Sequence, residues 1–511
     1  MPTYTINNTR IAKNTFFMYL RTLITMCISL YTSRVILRTL GEVDFGIYNV
    51  VGGVIVLFSF INGAMTSATQ RHLSYELGKE TPEVSSIFSA CLMVHFVLSV
   101  IVLVLAETVG LWFVNTQLNI PSERMNAALW VYQFSIICCI IAINRVPFDS
   151  SIIAHEKFTF YAYSGIIESV LKLVIVFILV SFSADKLIVY SILICCVTII
   201  MTVMILLYNR FAFPDIRLVR VKDRKIYKNI VSFSGWTIFG SFANMARHQG
   251  ISIVNNIFYG VVVNAAIGVA QQVNGTIDRF VSSFQLSFNP QLTKAQANGD
   301  RQAQSLLIVR SSKFSYFILL ILTCPVILNL EYILHLWLGE FPQYTTEICV
   351  FILIASLIDC LSGPLWVTVF ASGKIKYYQI VISIVILLNI VVAIICGKLH
   401  WEPQYVYAGM CFINTLSLIV RLYYAHKEAQ LSVSFFLKKS LQPVALVTLV
   451  AGLPSVLLIY FLGAAQNFIT LLWQTVLIVL IVIATVWLLG LTSDERNKFT
   501  ILIKGKLRFF K

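Results

Sequence analysis

Residues 209–228 read NRFAFPDIRLVRVKDRKIYK. Arg210, Arg217, Arg220, Lys222, Arg224, Lys225 and Lys228 are set there against only Asp215 and Asp223. On either side the chain is so apolar that only a bilayer accommodates it. Lys and Arg beside a membrane span resist translocation, so a segment of this charge stays cytoplasmic and orients every helix around it. It also lies at the join of two stretches that look alike. The reading that follows is a duplicated molecule: residues 1–208 as one six-helix lobe, 209–228 as linker, 229–425 as a second lobe, and 426–511 as an appended pair of helices with a basic tail.

Composition sets the class. Of 511 residues 58% are hydrophobic and 12% charged, with a mean hydropathy of +0.83. Soluble domains hold about 45–50% apolar and about 25% charged residues, so the expectation is an all-α integral membrane protein. The apolar runs are long and continuous, unlike the ~10-residue alternating strands of a barrel. The first run carries Arg21 and Arg34 and lacks a small-residue cleavage site, so it is retained as a helix. The eleven Cys are scattered through apolar runs with no C-x-x-C and no Cys/His cluster. They read as small buried hydrophobes, with no metal and no cofactor. A net charge of +15 suggests nucleic acid until its distribution over short loops is seen; no nucleic-acid partner is expected.

With about 20 apolar residues per span, helices fall near 13–38, 44–68, 84–113, 126–148, 160–182 and 186–208. After the linker come 229–258, 262–289, 305–329, 343–371, 376–396 and 404–425, then 441–462 and 468–490. These are fourteen transmembrane helices with both termini cytoplasmic. The charges agree: of 38 Lys and Arg, the outer loops hold Arg38, Arg124, Lys186 and Lys398. Arg21, Arg34, Lys172, Arg247 and Arg279 lie inside the bilayer, and the remainder are on the inner side. A missed helix would invert every later loop and spoil this asymmetry. The outer loops are short, the longest near 329–346. A membrane enzyme would need paired carboxylates or an acidic metal motif on such a loop, and Glu331, Glu340 and Glu347 are spread without one. The tail, with Lys504, Lys506, Arg508 and Lys511 around Phe509 and Phe510, suits anionic lipid headgroups. Between Lys439 and Asp494 there is no charged residue, so the last two helices face lipid, either flanking a groove for a lipid tail or packing as accessories.

Two features recur about 215 residues apart. Arg10-Ile-Ala-Lys13-Asn14 precedes the first span and Lys225-Ile-Tyr-Lys228-Asn229 the seventh. Pro147 is followed by Ala154, Lys157 and Phe160-Tyr161, and Pro364 at the same spacings by Ala371, Lys374 and Tyr377-Tyr378. An even number of helices per unit brings both units in from the same side. The lobes are then related by an axis along the membrane normal, with a substrate site between them.

The polar residues mark where that site lies. In the eighth span Asn264, Gly268, Gln271, Gly275, Asp278, Ser282, Gln285 and Asn289 alternate at spacings of four and three, one face of an α-helix. Gln272, Thr276, Arg279 and Ser283 widen it. In the seventh, Ser234, Thr237, Ser241, Asn244, His248, Ser252 and Asn255 form a similar face, with Arg247 at its edge. Weaker faces run along the first span (Thr15, Tyr19, Thr22, Ser29, Ser33) and the second (Asn49, Gly52, Ser59, Gly63, Thr66, Gln70). Helix–helix packing explains small and hydroxyl residues and suits these two spans as well as any function. A central charge costs about 2.5–3.5 kcal/mol on insertion scales and is kept for a water-filled cavity or ligand. We therefore expect Arg34, Asn244, Arg247, His248, Asn255, Gln271, Asp278 and Arg279 to line a substrate cavity, net positive and suited to phosphate oxygens through guanidinium forks. Asp359 and Glu168 are the candidates for coupling to H+ or Na+, although Asp359 reads equally well as a hydrogen-bonded structural residue, and Glu168 with Lys172 as a self-neutralising i,i+4 pair. His95 reads as a packed core histidine.

The helix count, the opening Arg10-Ile-Ala-Lys-Asn14, Leu40-Gly41 followed by Phe45-Gly46-Ile-Tyr48, and Phe288-Asn-Pro290 leading to Gly299-Asp300 together resemble a known family. It is the polysaccharide-transporter (Wzx-type flippase) branch of the multidrug/oligosaccharidyl-lipid/polysaccharide exporter (MOP) superfamily. The resemblance implies a bacterial inner-membrane flippase for undecaprenyl-diphosphate-linked oligosaccharide, such as an O-antigen unit of lipopolysaccharide. It would work by alternating access, with membrane lipids around it and polysaccharide polymerase machinery as a partner. A lipid II flippase wants the same cationic cavity. A drug/cation antiporter of the superfamily needs an acidic one, and the first span contains no Asp or Glu.

Overall fold

A computed structural model describes residues 8–56, 59–116, 118, 120–180, 184–214, 216–497 and 500; for some residues inside the first, second and seventh helices below, only the backbone is described. The described chain is all helical, with no strand. In order the helices are α1 (Asn8–Val56), α2 (Ser59–Glu76), α3 (Val84–Thr116), α4 (Ser122–Ala154), α5 (Phe158–Val180), α6 (Lys186–Ala212), α7 (Arg224–Ala297), α8 (Arg301–Leu328), α9 (Leu330–Leu338), α10 (Thr345–Cys360), α11 (Gly363–Ser372), α12 (Lys376–Lys398), α13 (Gln404–Ala429), α14 (Val433–Leu462) and α15 (Phe468–Gly490). Among the described residues nine are long and apolar enough to cross a membrane, or ten if the bent pair α10–α11 counts as one. Outside that pair, four helices do not meet this test: the short α9, and α1, α2 and α7, which carry the polar faces. A stripe of amides, hydroxyls and charges lowers mean hydropathy without shortening a helix. The fourteen-span reading assigns crossings to these helices as well, and α9 occupies part of the loop expected at 329–346.

Local chemistry explains the joints. α1 and α7 each continue through a single glycine held at positive φ: Gly41 (φ 81, ψ 170) and Gly260 (φ 78, ψ −174). An L side chain is strained there, so these positions turn the chain while both flanks stay helical. The two bends are alike in dihedral angles and 219 residues apart. α6 starts at Asp185, whose carboxylate accepts from the backbone N–H groups of Leu187 and Ile188, and α7 at Asp223, which accepts from that of Lys225; both are N-caps. α15 opens on a capping box between Asn467 and Thr470,. The 40° bend between α10 and α11 interrupts the hydrogen-bond ladder just before Pro364. Side chains replace what is lost: the amide of Gln285 donates to the Cys360 carbonyl at 3.0 Å, and the Ser312 hydroxyl to that of Leu361 at 3.0 Å. Broken helices persist in a bilayer only with such substitutes. Pro147, which the expected repeat pairs with Pro364, sits inside an unbroken α4.

Packing divides the chain into two units. The first comprises Met1–Met245 with Leu286–Asp300, the second Ala246–Gln285 with Arg301–Lys511. By this measure the boundary falls inside α7. In the first unit, Asn209 ties α6 to the Phe148 carbonyl of α4, and α3 and α4 share a core around Val114, Val131 and Tyr132. In the second, Lys313 of α8 is 1% exposed and pairs at 2.7 Å with Glu495. That contact anchors the segment after α15 to α8. His95 is fully buried, its Nδ1 on the Cys91 carbonyl at 2.8 Å. The cysteines are free and spread over buried, intermediate and exposed positions. Among the described residues no group of His, Cys, Asp and Glu has a metal-binding arrangement. Tail residues 501–511, the expected lipid contact, lie outside the described residues.

Candidate functional site

The stretch of α7 after Gly260 carries the clearest functional pattern, and burial resolves it into two faces. Val263, Ala266, Ala270, Ile277, Val281, Phe284 and Phe288 are buried. Gly268, Gln272, Arg279 and Ser282 are exposed. A helix facing lipid shows the reverse, apolar outward and polar inward. Apart from Val262 and Ala265 beside the bend, the open face is polar at helical spacing, the pattern of a helix that lines water,. Gln271, Gly275 and Asp278 flank it, half-buried. The Asp278 carboxylate accepts from the Ser282 hydroxyl at 3.2 Å, and Arg279 makes no ion pair among the described residues. Gln285 has left the open face to cap the α10–α11 break, where a side chain at Gly363 would collide with it.

The earlier part of α7 exposes two faces. One is apolar, with Val231, Phe239, Phe242, Ile253 and Ile257, as expected against lipid. The other carries Asn244 and His248, one turn apart and exposed, with Arg247 beside them. An Arg247 Nη and His248 Nε2 lie 2.9 Å apart. Asn255, expected in the cavity, is fully buried and donates to the Tyr407 hydroxyl at 3.2 Å. It joins α7 to α13 and is turned away from the open face.

Within the second unit, the charges of Asp359 and Arg421 act on Arg247, and that of Asp359 also on Asp278. Asp359, on the last turn of α10, is 53% exposed and accepts from Arg421 of α13 at 2.7 Å. Sequence reading had counted Arg421 with the inner charges. The structure places it inside a helix, beside Tyr378 and Asp359. Its partner lies 62 residues away, so no periodicity pointed to it. Asp359, Asp278, Arg247 and Arg421 make a balanced set, to which Arg279 on the open face adds a positive charge.

The first unit holds a different set. Arg145 pairs with Asp149 at 3.0 Å on α4, and Glu168 with Lys172 at 2.6 Å on α5. Arg21 of α1 packs where Gly165 leaves room and lies 4.5 Å over the Tyr161 ring, and its charge acts on both Asp149 and Glu168. On α5 the residues exposed to an apolar surround are Tyr163, Ile167, Val170, Val174 and Phe177. Glu168 and Lys172 point the other way yet stay 31% and 44% exposed, so they too meet an open space. The side chain of Arg34 lies outside the described residues.

On the linker side, still in the first unit, Glu156 follows α4 with a left-handed backbone (φ 60) and is 5% exposed. Its carboxylate accepts from Lys294 at 2.7 Å and Gln291 at 3.2 Å, both near the end of α7. Gly78 abuts Ala297 and Lys294 with no room for a side chain, and Thr15 and Ser287 share a hydrogen bond at 3.0 Å. On the opposite side Arg124 grips Asp44 and Asp185 at 2.6 Å each.

Residues 11–296 match the family described as "Polysaccharide biosynthesis protein". No match is found among curated proteins. Among solved structures, the chain is similar to a MOP superfamily transporter from Pyrococcus furiosus, described as having a binding pocket of reversed polarity that suggests a different function (TM-score 0.67, 11% identity, 82% of this chain and 96% of that one). It is also similar to an outward-facing multidrug resistance MATE family transporter of the same superfamily (0.68, 12%, 82% and 96%) and to a MATE protein in complex with MaL6 (0.66, 12%, 82% and 97%). The shared fold is that of MOP superfamily membrane transporters.

Proposed function

The chain belongs to the polysaccharide biosynthesis protein family, and from that premise we propose a flippase of the bacterial inner membrane that carries undecaprenyl-diphosphate-linked oligosaccharide by alternating access. It makes and breaks no bond. The observation that carries this reading is the open polar face of α7 past Gly260, backed by an apolar buried face. A helix so built lines water within the membrane.

Arg247, Arg279 and Arg34 supply the charge that a diphosphate needs, and His248, Asn244 and Gln271 supply hydrogen bonds for sugar hydroxyls. Asn255 is left out, since its amide is spent on Tyr407. Asp278 offsets part of the positive charge. Asp359 is the candidate coupling carboxylate, because it is open to solvent and its counter-ion Arg421 can be traded for H+ or Na+; Glu168 with Lys172 offers the same exchange in the first unit. Transport then rests on differential affinity for the substrate in inward- and outward-open states. Both termini and the 209–228 linker are placed on the cytoplasmic side, the two six-helix lobes as repeats, and the polymerase as the consumer of the translocated unit.

The test is flipping of a lipid-linked oligosaccharide in sealed vesicles, wild type against Arg247→Ala and Arg279→Ala, with lipid II as a competing substrate. Each variant is expected to lose at least about tenfold in rate, the scale of one lost charge-assisted contact. Normal transport by both would remove the assigned site. Preferred transport of lipid II would change the substrate.

A further inference from the structure

The segment joining α6 to α7 is a built surface. Arg217 N–H donates to the Ser85 hydroxyl at 3.1 Å and Val219 N–H to that of Ser89 at 3.0 Å. Serines one turn apart on α3 thus hold alternate residues of an extended strand. Phe213 is buried with its ring 4.1 Å from that of His155. Ile216 packs with Leu73, Phe88 and Ala154, and Val221 with Ala90, Cys91 and Ile230. With these side chains turned inward, Arg210, Arg217, Arg220, Lys222, Arg224 and Lys225 are all exposed. None of them makes an ion pair among the described residues. Asp223, the one described acid between them, is occupied as the N-cap of α7. Two large apolar side chains stand out among the cations: Phe211 is 79% exposed and Leu218 72%.

We propose that this ridge, residues 210–214 and 216–225, docks anionic lipid headgroups of the membrane in which the protein sits. Charge complementarity requires an anionic partner, and position selects which one. The ridge begins in the last turn of α6, a helix long and apolar enough to cross a membrane, and it is pinned along α3, another such helix. It therefore lies at headgroup level and cannot swing away. Phe211 and Leu218 enter the acyl boundary while the cations meet phosphates, the pattern of an interfacial anchor. Because the backbone is already fixed, docking orders little further chain. An acidic soluble protein would find the charges but would leave both apolar side chains in water.

The full chain is reconstituted in phosphatidylcholine bilayers containing phosphatidylglycerol and then stripped stepwise with detergent. The phosphatidylglycerol retained per protein is measured by mass spectrometry. Wild type is expected to retain it over phosphatidylcholine, less so at high salt, where charges are screened. Each cation near an anionic surface is worth roughly fivefold, so Arg217→Gln/Arg220→Gln/Lys222→Gln should lower the preference by at least about tenfold. Lys427→Gln, a single exposed cation at the end of another span, should cost no more than roughly fivefold, and the triple variant should keep its melting temperature in pure phosphatidylcholine. Undiminished preference in the triple variant overturns the proposal. So does wild type that shows no preference yet binds polyglutamate, which would give the ridge to an acidic protein.

Discussion

Both units hold charged pairs between elements, Arg124 with Asp44 and Asp185 and Lys294 with Glu156 in the first, but among the described residues only the first also pairs charges within a single helix. In the first unit Arg145–Asp149 and Glu168–Lys172 pair within one helix, four residues apart. In the second, Arg421 crosses from α13 to Asp359 of α10, and Lys313 from α8 to Glu495. A helix-internal pair neutralises itself and moves with its helix. A pair between helices fixes their relative position, and losing one partner strands the other. Arg145–Asp149 and Glu168–Lys172 can thus carry charge to an open space at little structural cost, while for Arg421–Asp359 and Lys313–Glu495 charge and architecture are bound together.

The largest effect should come from Lys313→Met. Both side chains are buried, and removing one member of such a pair costs about 3–5 kcal/mol, of which Arg310, 3.6 Å from Glu495, offsets part. Denaturation of the purified protein should show this loss, and Lys313→Met/Glu495→Gln should recover most of it. Next, Arg421→Met strands an exposed carboxylate. We expect transport to fall about tenfold or more with a smaller stability loss, because Asp359 keeps its water. Adding Asp359→Asn should restore the melting temperature and leave transport impaired; full recovery of transport would make the pair purely structural. In the first unit Lys172→Gln should cost less than about 1 kcal/mol. If it proves as costly as Lys313→Met, the contrast between the units is wrong.

The smallest effect concerns pH. Hydrogen bonds from Arg124 hold the Asp185 carboxyl below its ordinary value of 3.8. A depressed value means that the stabilisation is complete above that pH and is lost as pH falls through the folded value. The melting temperature should be flat through mild acid and drop below about pH 4. Asp185→Asn, which can still cap α6, should flatten that drop.

How much was legible follows from the distance between partners. The stripe along α7, the Glu168–Lys172 pair and the packed His95 are written in local spacing, and the all-helical membrane fold in composition. Arg421 with Asp359 and Arg124 with Asp44 and Asp185 join residues some 60 to 80 positions apart, and no single-sequence period encodes such a meeting. The sequence reading leaves Arg145, Arg310, Lys313 and Arg421 among the inner-side charges because a helix end is blurred in sequence by several residues, and one turn decides whether a charged group sits in water or between helices. Asn255 sat on the expected face by arithmetic, but the Tyr407 hydroxyl claimed it. The stripe set the register of that face; neighbours decided which of its members stay open.

The α10–α11 bend has a mechanical meaning. Its freed carbonyls are held by Gln285 and Ser312, so straightening this elbow would first require both amide and hydroxyl to let go. Within the second unit, α8, residues 261–285 of α7 and the α10–α11 elbow are therefore expected to travel as one rigid body, with Gly260 as the place to seek a hinge.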